Sequence, residues 1–396
     1  MSSRIITTAE RRSRLARRHR LLPEERCDDV ATVVDDVLAL HSSDPATVHL
    51  SAWARMANPS RTAVEDALYE QRSLVRHHVM RRTLWVASRD LMALMNATSG
   101  RRVQANERRK TLAMLSNNGI DDPQAWFDEA AGEVMALLRD RGPMTTRQVG
   151  DASPQLRTPL ESTPGNPKTA MISTHSRLLI DLGFAARVVR TRPSGDWHTS
   201  AYAWSTTERW LGTDLPAPDQ DESAARLVDH WLRRFGPGTT TDLQWWLGWT
   251  KTQTRAALAA ADAVPVELED GPEPGWVAAD DLDPEPETGE WVAVLPSLDA
   301  TTMGWKHRDW YLPAHAREAF DRNGNAGATI WVDGRVVGAW TQTKQGEVRH
   351  LWFESVPARR RRQVERRLDD VRDWLGATVV TERFPGLSRA TLLAQS

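Results

Sequence analysis

The period of the apolar positions changes several times along the chain, and each change marks an element. Between Asp28 and Leu40, residues Val30, Val33, Val34, Val37 and Leu38 recur at helical spacing. Asp44-Pro45 then opens a second helix through Trp53 and Met56. Ser43 or Asp44 is its cap, and Pro45 sits early, where a missing N–H does no harm. Ser60 opens a third helix to about Gln71. Two short runs follow, Leu74 to Val79 and Leu84 to Ala87, with Arg81-Arg82 between them, which is the pattern of a β-hairpin. Three helices and a basic hairpin are the plan of a winged helix, here over about residues 25–97.

The same order recurs twice. Residues 126–140 form an amphipathic helix, Gly142-Pro143 turns the chain, Thr145 to Val149 begins a short helix, and Asn166 to Leu182 supplies a longer one. The runs Phe184 to Arg190 and Trp197 to Trp204 make the second wing. In the third copy Glu222 to Phe235 is followed by Gly236-Pro237-Gly238, Thr239 to Gly248, Lys251 to Ala261 and a strand from Val264. Arg141-Gly142-Pro143-Met144-Thr145-Thr146 and Phe235-Gly236-Pro237-Gly238-Thr239-Thr240 align closely, each a helix, a tight turn and a Thr-capped helix.

From about residue 270 the pattern becomes that of strands. Asp270 to Glu290 is rich in Pro, Gly and acids and reads as a loop or wing tip. Trp291 to Leu295, Ala328 to Val332, Arg335 to Trp340 and Glu347 to Trp352 alternate as strands do, with Asp333-Gly334 as a hairpin turn. A helix from Ala358 to Leu375 and a last strand from Ala377 to Thr381 follow. The expected fold is α+β, three tandem winged-helix (helix-turn-helix) units with a small C-terminal β-barrel. Its domains are residues 1–110 with a basic first helix, 111–215, 216–285 and 286–396.

Composition narrows the function. No apolar stretch nears the roughly 18 residues that a bilayer span needs, so the chain is expected in the cytoplasm, associated with the nucleoid, with no membrane partner. The one cysteine, Cys27, excludes an internal disulfide and a thiolate metal cluster. His77, His78 and His175 stand apart from any carboxylate cluster with ligand spacing, so neither a metal nor another cofactor is expected. The net charge of -2 conceals an asymmetry. Residues 1–110 hold about 20 Lys and Arg against about 13 acids, whereas residues 262–290 hold about 11 acids and no base. The Arg-rich run includes Arg11, Arg12 and Arg17, which have the charge to neutralise phosphates; a solvated helix face is the alternative reading. Most of the 18 Trp, among them Trp245, Trp246 and Trp331, fall at apolar positions and read as core.

Five blocks then carry a resemblance. Leu40-His41-Ser42-Ser43-Asp44-Pro45 with Trp53-Ala54-Arg55, Met80-Arg81-Arg82-Thr83-Leu84, Gly236 to Gly248 with Trp245-Trp246, Leu295-Pro296-Ser297-Leu298-Asp299, and Val332-Asp333-Gly334-Arg335-Val336-Val337-Gly338 occur in one order. Together they resemble the winged-helix DNA glycosylases of the AlkZ/YcaQ type over roughly residues 10–390. The resemblance implies three winged-helix units and a C-terminal β-barrel around duplex DNA. It also implies excision of bulky N-alkylated purines by a monofunctional glycosylase, which in some members unhooks interstrand crosslinks. The alkylated purine is a cationic leaving group, so the protein has mainly to place a water and stabilise the sugar cation.

In that family a Gln-x-Gln or Gln-x-Asp motif holds the water, and here His41 and Ser43 occupy those positions. An imidazole and a hydroxyl can both bind water, which makes them the catalytic candidates. Taken without the resemblance, His41 is a histidine at a helix end and Ser43 and Asp44 are caps. Trp85 stands where the family usually has His. Candidate DNA contacts are Arg11, Arg12, Arg17, Arg55, Arg81, Arg82, Lys168 and Lys251. The expected partner is damaged double-stranded DNA, bound by a monomer. The alternatives are a non-catalytic winged-helix regulator or lesion binder, and an interaction module that uses winged helices for protein contacts.

Overall fold

Caps set the helix boundaries in the computed structural model, which describes residues 4–164 and 169–394. The side chain of Asp44 accepts from Ala46 N–H at 3.2 Å and starts the helix Pro45–Arg55, which resolves the choice between Ser43 and Asp44. Ser60 Oγ accepts from Ala63 N–H at 3.1 Å and caps Arg61–Glu65. Thr145 and Thr239 each close a capping box, with Gln148 and Asp242 respectively, so the helices after the two aligned Gly-Pro-x-Thr-Thr segments start in the same way. Gly248, at φ 70°, ends the helix Thr240–Leu247 in the left-handed conformation that glycine adopts without steric penalty.

The described residues are α+β and divide into two compact units. One comprises the chain up to Glu65 and from Ala224 onward. In it, Ile5–Ile6 pairs parallel with Val264–Leu268, and the sheet continues through Gly275–Val277 to Gly238–Thr239. A second sheet is an antiparallel meander of Val292–Leu295, Thr329–Val332, Arg335–Gln342 and Val348–Trp352. Its turn is Asp333-Gly334, at φ 48° and 80°, both left-handed as a two-residue hairpin requires. The aromatic core runs Trp231, Phe235, Trp305, Trp310, Tyr311 and Trp331, with successive ring centroids 4.9–5.5 Å apart.

The other unit spans Asp66–Ser223. Its core gathers Leu115, Phe127, Val134, Leu138, Val149, Leu178, Leu182 and Trp204. The hairpin Leu74–His78 with Leu84–Ser88 pairs His77 with Trp85, and a second hairpin is Val188–Pro193 with Tyr202–Thr206. The helix Thr174–Phe184 packs against both hairpins, and the helices Pro123–Arg141 and Thr146–Asp151 pack against it.

Three expectations are corrected, and one helix is added. The C-terminal strands form an open four-stranded sheet, and no sheet among the described residues closes into a barrel. The expected last strand at 377–381 is irregular, because the Gln342 side chain takes its backbone groups: Oε1 accepts from Val380 N–H at 2.8 Å and Nε2 donates to Thr378 O at 3.0 Å. The expected helix from Asn166 begins only at Thr174, after a strand Met171–Ser173 that pairs with Pro159–Glu161; residues 165–168 lie outside the described residues. The helix Arg101–Asn117 has no amphipathic signature in the sequence, because its apolar stripe is replaced by a narrow buried line of Glu107, Thr111 and Leu115.

Candidate active site

The loop before Pro45 is held from three sides. Leu40–His41 is a short buried strand; Ser42 and Asp44 are buried and Ser43 is half-buried. Ser43 N–H donates to His41 Nδ1 at 3.3 Å. A neutral imidazole that accepts at Nδ1 carries its proton on Nε2, so this contact selects the tautomer and makes the far edge of the ring a donor. Asp44 Oδ2 accepts from Arg383 N–H at 2.9 Å while Oδ1 caps the helix. One turn later, Thr47 Oγ1 donates to Ser297 O at 2.7 Å, and Ser297 Oγ donates to Phe384 O at 2.8 Å. Residues 383–384 and Ser297 therefore brace the first turn of Pro45–Arg55 on both sides.

At the far end of the same helix, Arg55 is wholly buried. Its guanidinium donates to both oxygens of Asp299 at 2.7 and 2.9 Å, and further to Thr301 Oγ1 and Ser51 O. Burial alone raises the Asp299 carboxyl, but the Arg55 charge and the bonds from Arg55, Ser51 and Thr301 overcome it and leave the carboxyl below its usual range. His19 Nδ1 lies 2.8 Å from Thr301 Oγ1 at the edge of this network, and burial pushes its imidazole down to about 3.

In the other unit the hairpin turn carries Arg81 and Arg82 at φ 50° and 60°, two consecutive left-handed arginines. Arg82 pairs with the buried Glu107 at 2.9 Å, which also receives Lys110 at 3.0 Å and Arg177 at 3.5 Å. The Arg81 guanidinium lies 5.7 Å over the Trp85 ring. Trp85 is 2% exposed, and its indole N–H donates to Met80 O at 3.3 Å. It is the floor of the turn, with no face left for stacking on a lesion. Neighbouring His77 is held down at about 4 by burial.

The arginines of the first run are taken up internally. Arg11 is 6% exposed, lies 4.2 Å over the Trp310 ring, and is lowered to about 10 by burial. Arg12 donates twice to Trp310 O, at 3.0 and 2.5 Å. Arg17 pairs with Glu285 at 3.0 Å, and Arg14 and Arg18 each meet Asp281 at 2.8 Å. The acidic run thus folds onto the basic one. Arg55 leaves the phosphate-contact set for the same reason, since its charge is spent inside the core. Lys251 is exposed at the start of the helix Lys251–Ala260. Lys168 lies outside the described residues. Sequence reasoning missed Arg383, Ser297 and Asp299 as partners of the loop and its helix; the Leu295–Asp299 block was visible, but its contacts are nearly 250 residues distant.

Among the described residues no group of three or more His, Cys, Asp and Glu is placed to hold a metal, and no helix is long and apolar enough to cross a membrane. The fold is shared with a base-excising DNA enzyme: the structure matches Streptomyces sahachiroi DNA glycosylase AlkZ at a TM-score of 0.70 and 18% identity, over 96% of this chain and 98% of that one. No curated protein matches the chain. The family model DNA glycosylase AlkZ-like matches residues 34–374, and the chain belongs to this AlkZ-like DNA glycosylase family. It is a DNA-binding hydrolase that cleaves base–sugar bonds.

Proposed function

We propose that the enzyme excises bulky N-alkylated purines from duplex DNA, with His41 and Ser43 holding the attacking water. The observation that carries this reading is the Ser43 N–H to His41 Nδ1 contact. It orients the imidazole and presents Nε2–H as a donor, while the Ser43 hydroxyl can donate and accept. Such a pair positions water in the manner of two amides. The water oxygen bonds to C1′, the C1′–N bond breaks, its electron pair neutralises the cationic purine, and the surplus proton passes to solvent. No general acid is needed, because the alkylated base leaves as a neutral molecule. An interstrand crosslink through alkylated purines presents the same bond, so unhooking is the same reaction. The product is an abasic site.

The assembly that supports this reading is a monomer of three winged-helix units, residues 1–110, 111–215 and 216–285, followed by residues 286–396. It works on damaged DNA in the cytoplasm, at the nucleoid. The two capping-box turns at Thr145 and Thr239 favour the repeat. Arg81, Arg82 and Lys251 are the phosphate contacts that remain from the sequence reading, and Lys168 stays with them as a contact outside the described residues.

The test is single-turnover release of N7-methylguanine, and of a bulkier N7 adduct, from labelled duplex by wild type, His41→Ala and Ser43→Ala. A loss of about a hundredfold or more in either variant, with DNA binding intact, supports the assignment. Full release by both variants moves the water to other residues.

A further inference from the structure

The chain contains a second arginine run, and unlike the first it is only partly paired. The helix Ala358–Leu375 holds Arg359, Arg360, Arg361, Arg362, Arg366 and Arg367 within its first ten residues, against one acid, Glu365. Its buried side is Arg360, Val364, Leu368, Val371 and Leu375. Arg359, Arg362 and Arg366, spaced i, i+3, i+7, form a stripe on the opposite side and are all exposed. Arg359 is 71% exposed and pairs with the half-exposed Glu290 at 3.0 Å. Among the described residues no carboxylate pairs with Arg362 or Arg366, and Glu365 lies on the side of His350.

This placement runs against the electrostatics of the helix itself. The N-terminal end of a helix is its positive pole and favours acids, yet the first turn here has no acid and the cations gather there. The acids, Asp369, Asp370 and Asp373, sit in the second half, where Arg367 and Arg372 pair with them. A polyanion laid along the first half relieves the repulsion among the arginines and satisfies the positive pole. The helix also rests on the proposed catalytic region: Arg367 lies 4.3 Å over the ring of Trp53, on the helix Pro45–Arg55, and the Trp374 indole donates to Pro59 O at 3.2 Å.

We propose that Arg359, Arg362 and Arg366 form a phosphate-backbone contact for the duplex DNA on which this glycosylase acts. The assignment rests on the DNA glycosylase reading and adds to it a surface outside the helix-turn-helix repeats. Spacing of about 5 Å between successive stripe positions lets neighbouring guanidinium groups reach neighbouring phosphates on one strand. The contact reads no bases, so it contributes equally to any duplex.

The test uses the full chain and an undamaged duplex of about 20 base pairs, with affinity followed by fluorescence anisotropy between about 50 and 200 mM salt. The triple variant Arg359→Gln/Arg362→Gln/Arg366→Gln is compared with wild type and with the control Arg317→Gln/Arg322→Gln, which removes exposed charge elsewhere. The expected result is a slope of log affinity against log salt shallower by about 2 to 3 in the triple variant, with its deficit greatest at low salt. Unfolding temperature should not fall, because the substitutions relieve charge repulsion at the helix N-terminus. An unchanged slope in the triple variant overturns the proposal while the glycosylase reading stands. An equal change in the control overturns it too, by assigning the effect to net charge. Failure of the wild type to bind duplex at low salt removes the DNA reading itself.

Discussion

Arg55 and Asp299 lie 244 residues apart in sequence and form a two-bond ion pair with no solvent exposure on either side chain. The pair joins the Trp53-Ala54-Arg55 block to the Leu295–Asp299 block. Ser51 and Thr301 complete the hydrogen bonding, so neither charge is left uncompensated by the loss of water. Removing one partner strands the other. Arg55→Met and Asp299→Asn are each expected to destabilise by about 3–5 kcal/mol, read by urea unfolding, while Arg55→Met leaves the salt dependence of DNA binding unchanged. Because the Asp299 carboxyl is held below its usual range, this stabilisation is full at neutral pH and is lost as pH falls through and below that range.

Acid should also destabilise the protein through its buried histidines. His19 is depressed to about 3 and His77 to about 4, and His78 lies well below its usual value; burial is the first cause for each. The unfolded chain takes up protons near pH 6.5 that the folded chain refuses. Stability is therefore complete above that value and declines as pH falls towards the folded-state values. Each such histidine contributes about 1.4 kcal/mol per pH unit. Denaturant midpoints at pH 7.5 and 5.5 check this, and equal midpoints would count against burial of neutral histidines.

The His41 contact can be dissected by two substitutions. Asn at position 41 places an acceptor near Nδ1 and keeps the clasp on Ser43 N–H; Gln reaches the position of Nε2. His41→Gln is expected to keep most single-turnover excision, and His41→Asn to lose about a hundredfold. The reverse order would mean that loop order, not the ring's outer nitrogen, matters.

The turn at Arg81-Arg82 separates binding from stability. Arg81→Gly relieves a left-handed arginine and is expected to stabilise by about 1 kcal/mol. Arg82→Gln should lower the salt slope of DNA binding by about one. Glu107→Ala exposes three cations to one another and should lower the unfolding temperature.

Arg17→Gln tests the folding of the acidic run onto the basic one. Its guanidinium is held by Glu285 and Pro286 O, so DNA affinity should change by less than about twofold near 150 mM salt. A steep loss of affinity would return the first helix to the DNA interface.

Much of the local structure was legible because local physics governs it. The caps at Asp44, Ser60, Thr145 and Thr239 and the Asp333-Gly334 turn act over three or four residues, and each stands where the pattern places it. The helix Ala358–Leu375 has the bounds that its apolar stripe dictates. The errors fall where a distant group overrides local preference. Gln342 replaces a strand at 377–381, and the line Glu107, Thr111, Leu115 buries a helix without an apolar face because Arg82, Lys110 and Arg177 neutralise Glu107.

Charge shows the division most clearly. Two arginine runs, at 11–20 and 359–367, look alike in sequence, and the candidate phosphate contacts Arg11, Arg12 and Arg17 come from the first. The sequence by itself determined helices, caps, hairpins and the family to which the blocks belong. Only the tertiary structure decided which arginines remain available, because pairing depends on which carboxylates the fold brings within about 4 Å: Asp281 and Glu285 for the first run, and none for Arg362 and Arg366 among the described residues of the second.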